Sequence, residues 1–348
     1  MQALQVFPGS TAQGQMSGVI KTCTSLNAGL QSSCTQQLAR SILQHRPALT
    51  LERAVGENTG LDSELWAQAP FVAGVVPDLP VLSSWKQLGT RLLTRKVAAP
   101  QVVSHEKEMA CSKLSDQGRR CRVQTVAAQT YSHTQMRQRI LDACSDEFGT
   151  NQHPADALLL LSGSHPFRKL PWTDRWMTNS LQTLKLAHEL RLHGAIPART
   201  GLWAVENPLT SSTDCLKSKI DAGAEVIITQ PPLLWDKFEA WMNRVQQQQI
   251  LGDTQLIVGC PMISSAGNMK FWLYLCQASS LSGSEGAVAP FQQAAAKGKE
   301  ALAAHCQQYN ADLVHKVLEF PQVAGLHFMP LTKQARSLTL PLVQSLAA

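Results

Sequence analysis

Five short apolar runs in this chain each end in a small polar group fenced by turn-forming residues. Ala157–Leu161 (ALLLL) leads into Ser162-Gly163-Ser164-His165-Pro166, Gly201–Val205 (GLWAV) into Glu206-Asn207-Pro208, and Val226–Thr229 (VIIT) into Gln230-Pro231-Pro232. Leu256–Val258 (LIV) is followed by Gly259-Cys260-Pro261-Met262, and Val323–Phe328 (VAGLHF) by Met329-Pro330-Leu331. Hydroxyl, imidazole, carboxylate and amide groups gathered at strand ends can line the mouth of a small-molecule site. Such a mouth orients a ligand by hydrogen bonds and can move a proton.

A parallel sheet would hold these groups in one ring. Three weaker strand candidates, Ala48–Leu51, Phe71–Val76 and Arg122–Ala127, bring the strands to eight. Continuous rather than alternating apolar runs suit strands buried on both faces. Helical patterns lie between them over Asp174–Leu192, Cys215–Gly223, Trp235–Gln249, Asn268–Gln277 and Phe291–Asn310, and Gly194 stops the first. This alternation predicts an α/β fold, a (βα)8 TIM barrel over residues 47–345, with its active groups just beyond the strand C-terminal ends. A doubly wound open sheet is the alternative, but no G-x-G-x-x-G follows the first strand. Pro100–Arg120, polar and charged, reads as an insertion; so does Ser279–Pro290, rich in Ser, Gly and Ala, which reads as a flexible loop.

The net charge of +6 invites a nucleic-acid reading, but the basic residues are scattered. Arg119, Arg120 and Arg122 form the one dense cluster, with no interleaved aromatics to stack bases. No run approaches the roughly 18 to 20 apolar residues of a membrane helix. Neither nucleic acid nor membrane is an expected partner. Nine cysteines with no C-x-x-C and no regular spacing read as free thiols of a reducing compartment. No Cys/His pair has the spacing of a zinc site, so no metal is expected. The first acidic residue is Glu52; before it stand Lys21, Arg40 and Arg46 among many Ser, Thr, Gln and Ala. That is the composition of mitochondrial and chloroplast transit peptides. Residues 1–46 are therefore set outside the barrel as an N-terminal extension, and an organellar matrix or stroma is the expected location. The alternative is a tail without an address on a cytoplasmic protein.

The segment Lys217-Ser-Lys219-Ile-Asp221-Ala-Gly-Ala-Glu-Val-Ile-Ile-Thr-Gln230 resembles the K-x-K-x-D-A-G-A-x-x-x-x-T-Q signature of the methylenetetrahydrofolate reductases. Val323–Phe328 is similar to that family's closing strand, V-x-G-x-H-F, and Ile257–Met262 to its I-x-P-G-I-M segment with the glycine and proline displaced. Leu202–Pro208 looks like the strand before the lysine-rich helix in divergent members. The likeness is good over residues 155–335 and faint over 47–154. It implies a flavin enzyme that passes hydride from NADH or NADPH through FAD to methylenetetrahydrofolate, yielding methyltetrahydrofolate. The flavin carries the hydride, and the protein supplies placement and electrostatics. By the same resemblance Gln230 contacts the folate, its amide offering both donor and acceptor to the pterin edge. Lys219 lies on the phosphate and ribose side of the flavin. Ser162 and Asn207, at their strand ends, join Lys219 as cofactor-binding residues. Glu52 is the counterpart of a first-strand glutamate that protonates the substrate as its ring opens, a role that partial burial of a carboxyl favours. Asp221 is read as serving the turn before Gly223.

The chain also departs from the family. E-F-F-P-P is replaced by Glu52-Arg-Ala-Val-Gly, and R-G-D-P-P by Ser162-Gly-Ser164-His-Pro, so Ser164 stands where an aspartate lies beside flavin and folate. A serine supplies no negative charge; His165 is the nearby candidate proton donor near neutrality. After Gln230 an aromatic pair and an aspartate become Pro-Pro-Leu-Leu-Trp-Asp236, where Trp235 either stacks on the substrate or anchors the next helix. Trp203 and His327 are read as core residues, the histidine hydrogen-bonded. Too little sequence follows Phe328 for the regulatory extension of animal members, so inhibition by adenosylmethionine through such a domain is not expected. Three functions stay open: a working folate reductase, a barrel with impaired catalysis serving as a binding or assembly component, or a flavin barrel of the same kind acting on another substrate such as an amino acid. Oligomeric state is not legible, and a homo-oligomer is among the options.

Overall fold

The structure, a computed structural model, describes residues 38, 47–53, 59–78, 120–128, 131–145, 154–162 and 178–347. Eight strands run β1 Ala48–Glu52, β2 Ala73–Val76, β3 Cys121–Ala127, β4 Ala157–Leu161, β5 Gly201–Glu206, β6 Val226–Thr229, β7 Gln255–Cys260 and β8 Val323–Phe328. Each pairs in parallel with its sequence neighbours, and β8 pairs with β1, so the sheet closes into a barrel in chain order. The predicted (βα)8 barrel is the fold found, with all eight candidate strands in place.

The described helices are α1 Thr59–Gln68, α2 His133–Cys144, α3 Ser180–Leu192, α4 Thr213–Asp221, α5 Trp235–Gln247, α6 Ala266–Leu275, α7 Ser284–Ala296, α8 Lys299–Leu318 and α9 Lys333–Ala347. Helices α2 and α3 start at capping boxes, Ser132 with Gln135 and Asn179 with Gln182, in which two orphan backbone donors are satisfied reciprocally.

Side-chain alternation along the strands divides the core in two. Leu158, Leu160, Leu202 and Val258 point outward and pack with helix residues such as Leu184 and Phe238. Val75, Val123, Leu159, Trp203 and Ile228 belong to a separate cluster made, with one exception, of strand residues or their immediate neighbours, which is the barrel lumen. Trp203 fills it as a fully buried side chain, in keeping with its reading as core. Gly325 lets β8 close against β1, since a Cβ there would run into the Ala48 carbonyl.

The exception is Leu38, 1% exposed and part of the lumen cluster. Leu38 lies within the extension set at residues 1–46, whose other residues lie outside the described ones, as do residues 100–119 of the Pro100–Arg120 insertion. The loop expected over Ser279–Pro290 is instead helical from Ser284 onward. Val288, Phe291 and Ala294 give that helix a buried stripe, and Phe291 packs edge-on against His305 and Tyr309 of α8. This packing outweighs the one backbone hydrogen bond that Pro290 cannot donate. The single helix expected over Phe291–Asn310 is broken at Gly298, whose φ of +117° suits only glycine.

Gly223 of the D-A-G-A element has φ +100°, and a Cβ there would sit 2.7 Å from His188 Nδ1. Gly223→Ala should therefore cost about 1–2 kcal/mol. The loss should show as a lower urea midpoint with an unchanged slope; an unmoved midpoint would contradict the turn assigned to it.

Candidate active site

Because every strand is parallel, Glu52, Ser162, Glu206, Gln230 and Met329 all come to the same rim of the barrel. Their elements put them there: each is the last residue of a strand or the first beyond one.

On β1, Glu52 is partly open, its side chain 25% exposed. Its Oε2 lies 3.7 Å from Nε2 of His327 on β8, a buried ring with 3% side-chain exposure. The other ring nitrogen, Nδ1, is 2.9 Å from Thr50 Oγ1, and the Thr50 hydroxyl donates to the Leu326 carbonyl. That direction leaves the hydroxyl oxygen to accept from Nδ1–H, so in the neutral ring Nε2 carries the lone pair facing Glu52. His327 is the hydrogen-bonded buried histidine expected from the sequence. Its apposition to Glu52 was not foreseen.

Immediately after Glu52, Arg53 turns away to a charged cluster outside the barrel. Its Nε donates to Asp62 Oδ2 at 2.7 Å, and Arg336 of α9 donates to Asp62 Oδ1 at 2.8 Å. The Arg53 guanidinium also lies 4.5 Å over the ring of Trp66. A similar ion pair, Arg139 with Asp78, follows β2, and the Asp78 carboxylate also accepts the Ala127 amide.

The opposite part of the rim is knitted together by Glu206, Asn207, Gln230 and Cys276. The Glu206 side chain is fully buried; it accepts Lys219 Nζ at 2.9 Å and the Asn207 amide at 2.9 Å. Lys219, reaching from the last turn of α4, also donates to the Val205 carbonyl at 2.6 Å. A buried carboxylate needs this compensation, and the lysine's charge is neutralised by it. Asn207 donates to the Cys276 carbonyl and accepts the Leu209 amide. Gln230 takes the Cys276 thiol on Oε1 at 3.3 Å. Burial pushes that thiol up to about 12, so it stays protonated and acts as the donor. Among the described residues Gln230 Nε2 has no hydrogen-bond partner.

Ser162 directly follows β4, and its hydroxyl oxygen accepts the Ser180 amide of the first turn of α3, leaving its O–H to donate elsewhere. Ser164 and His165 lie outside the described residues. Trp235 packs its ring against Phe238 and Phe320 with Lys316 over it, so among the described residues its contacts are those of a helix anchor rather than of a substrate platform. Asp221 makes an exposed i,i+4 pair with Lys217, which contributes little.

Sequence reasoning missed Glu206 as the partner of Lys219, Cys276 as the partner of Gln230, and Asn310. Asn310 of α8 holds the loop after β7 by accepting the Ile263 amide and donating to its carbonyl. None of these pairings has a local signal, because the partners come from different βα units.

The stretch that carries Glu206, Asn207, Lys219, Gln230 and His327 is also where a known family matches: the family model described as methylenetetrahydrofolate reductase aligns with residues 204–344. Over this stretch the chain is similar to the methylenetetrahydrofolate reductase family. The match leaves β1 to β4 uncovered, the half in which the E-F-F-P-P and R-G-D-P-P motifs are replaced. No curated protein matches the chain. Solved structures that it resembles include a 2,3-dimethylmalate lyase, at 14% identity over 76% of this chain and 85% of that one with a TM-score of 0.39. A phosphonopyruvate hydrolase is 11% identical over 89% and 84%, with a TM-score of 0.41. An oxaloacetate acetylhydrolase is 12% identical over 82% and 97%, with a TM-score of 0.38. Likenesses at this level carry no argument about chemistry. No helix among the described residues is long and apolar enough to cross a membrane.

Proposed function

We propose that the chain is a flavin-dependent methylenetetrahydrofolate reductase, forming methyltetrahydrofolate with electrons from NADH or NADPH, in an organellar matrix or stroma. The observation that carries this reading is Gln230. The glutamine of the family signature stands at the rim with its amide nitrogen unpartnered among the described residues and its oxygen fixed by Cys276. An amide held in this way can read the amide-like edge of a pterin.

The rim also suits a flavin ring. Ser162, Asn207 and Gln230 follow three successive strands above an apolar lumen closed by Trp203, Leu159 and Ile228, the combination of apolar surface and a few polar groups that ring-shaped cofactors take. FAD, when bound, supplies the hydride. The chain's part is to orient the ring with the Ser162 hydroxyl and the Gln230 amide, and to offer phosphate the third N–H of Lys219. Glu52, across the rim, holds the proton that the substrate needs.

The purified full-length protein should be yellow, with a flavin absorbance spectrum; protein that stays colourless after incubation with FAD would sink the proposal. Gln230→Ala should raise KM for methylenetetrahydrofolate roughly tenfold, the worth of about one hydrogen bond, without loss of flavin. Steady-state kinetics beside the absorbance spectrum checks both halves of that expectation.

A second reading, a barrel with impaired catalysis that serves as a binding or assembly component, is favoured by the neutralised Lys219 together with Ser164 in the aspartate's place. Measurable reduction of methylenetetrahydrofolate by NADH or NADPH disposes of it.

A further inference from the structure

The first and last strands of the barrel bring together two ionisable side chains that no local motif connects. Glu52 Oε2 and His327 Nε2 face each other at 3.7 Å, and the far side of the imidazole is pinned by Thr50. The positions in register beside them are Val75 on β2 for Glu52 and Gly259 on β7 for His327, neither ionisable. Arg53, the nearest cation in sequence, is turned outward to Asp62. Among the described residues no other titratable side chain stands in register with the pair.

We propose that Glu52 and His327 act as one proton-holding unit in which His327 is the positioning residue. This rests on the reading of Glu52 as the acid. Thr50 fixes the tautomer, so Nε2 meets Oε2 and turns the other carboxyl oxygen toward the rim. The unit holds one proton between carboxyl and imidazole. When the substrate's five-membered ring opens, the bond from its bridging carbon to one nitrogen breaks and the electron pair stays on that nitrogen. The nitrogen takes the proton from the Glu52 carboxyl. The unit is left with a carboxylate and a neutral imidazole, and a proton from water, reaching the 25%-exposed carboxyl rather than the 3%-exposed ring, resets it.

The test is a double-substitution cycle on the full-length holoprotein with Glu52→Gln, His327→Asn and both together. Asparagine retains a donor where Nδ1 meets Thr50 and deletes only the nitrogen facing Glu52, so the fold is kept; thermal melting verifies this. His327→Asn should lower kcat about tenfold or more, since a charged partner within about 4–6 Å changes a group's hold on its proton by at least that factor, with KM for the folate and flavin content unchanged. The double variant should be no slower than Glu52→Gln alone, because groups that act as a unit are not additive. A native kcat in His327→Asn, or strictly additive losses, overturns the proposal while the reductase reading stands. A native kcat in Glu52→Gln removes the acid itself and the proposal with it. Nitrogen NMR of the His327 ring gives a readout that needs no turnover. The ring should be the Nδ1–H tautomer, and its Nε2 resonance should move in Glu52→Gln; a resonance that stays put overturns the pairing even in an inactive protein.

Discussion

Glu52→Gln should reduce turnover of methylenetetrahydrofolate by about 10²–10⁴-fold, the usual contribution of a positioned general acid. Glutamine has the same length and shape, and the backbone of residue 52 remains paired with Val75, so the rim should keep its form. What is lost is the exchangeable carboxyl proton. The deficit should therefore fall on one half-reaction. Flavin reduction by NADH or NADPH needs no proton from this side chain and should proceed at the native rate in stopped-flow measurements. Reoxidation by the folate should be slow. Equal slowing of both halves would mean that the substitution had disturbed the flavin site, and the acid role would have to be given up.

The second large effect is one of stability. Asp62→Ala removes the carboxylate that lies between Arg53 and Arg336, with Asp62 2% exposed and the two arginine side chains at 5% and 7%. Breaking such a buried arrangement from one side removes the carboxylate that both guanidinium groups share and costs about 3–5 kcal/mol. The cluster is already strained in its polar accounting, since Arg336 Nε has no hydrogen-bond partner among the described residues. Trp66 adds to the sensitivity. It carries Arg53 and Arg120 at 4.5 Å each, so a displaced Arg53 also uncovers an aromatic face. Chemical denaturation should show the loss as a lower midpoint, with Asp62→Asn in between. A midpoint within error of the native protein would mean that the arginines find other partners at no cost. Arg53 directly follows Glu52, so the residual folded Asp62→Ala protein should also turn over more slowly.

The barrel was legible because its signal is local and repeated. VIIT, ALLLL and VAGLHF are apolar without alternation, as strands covered on both faces must be, and each stops at turn-formers. The weak runs at Ala48, Phe71 and Arg122 were recoverable only as members of that series. The errors lie where packing competes with local preference. Pro290 and the glycines around it read as a loop until Phe291 finds Tyr309, and Gly298 inside an apolar pattern gives no warning that its φ is positive. The site was legible in part. Gln230 and Lys219 stand in a recognisable motif, and both are near the rim. That Lys219 is neutralised by Glu206 could not be read, because helix length and strand end together decide the reach. The Glu52–His327 apposition depends on ring closure between residues 275 positions apart, a property of the whole fold and of no segment within it.

The leucine at position 38 bears on how such a chain can be matured. A processing peptidase that cut at the compositional boundary near Pro47 would carry away a side chain that belongs inside the cylinder and leave an apolar hollow behind it. Any shortened form made for crystallisation or assay should therefore keep Leu38.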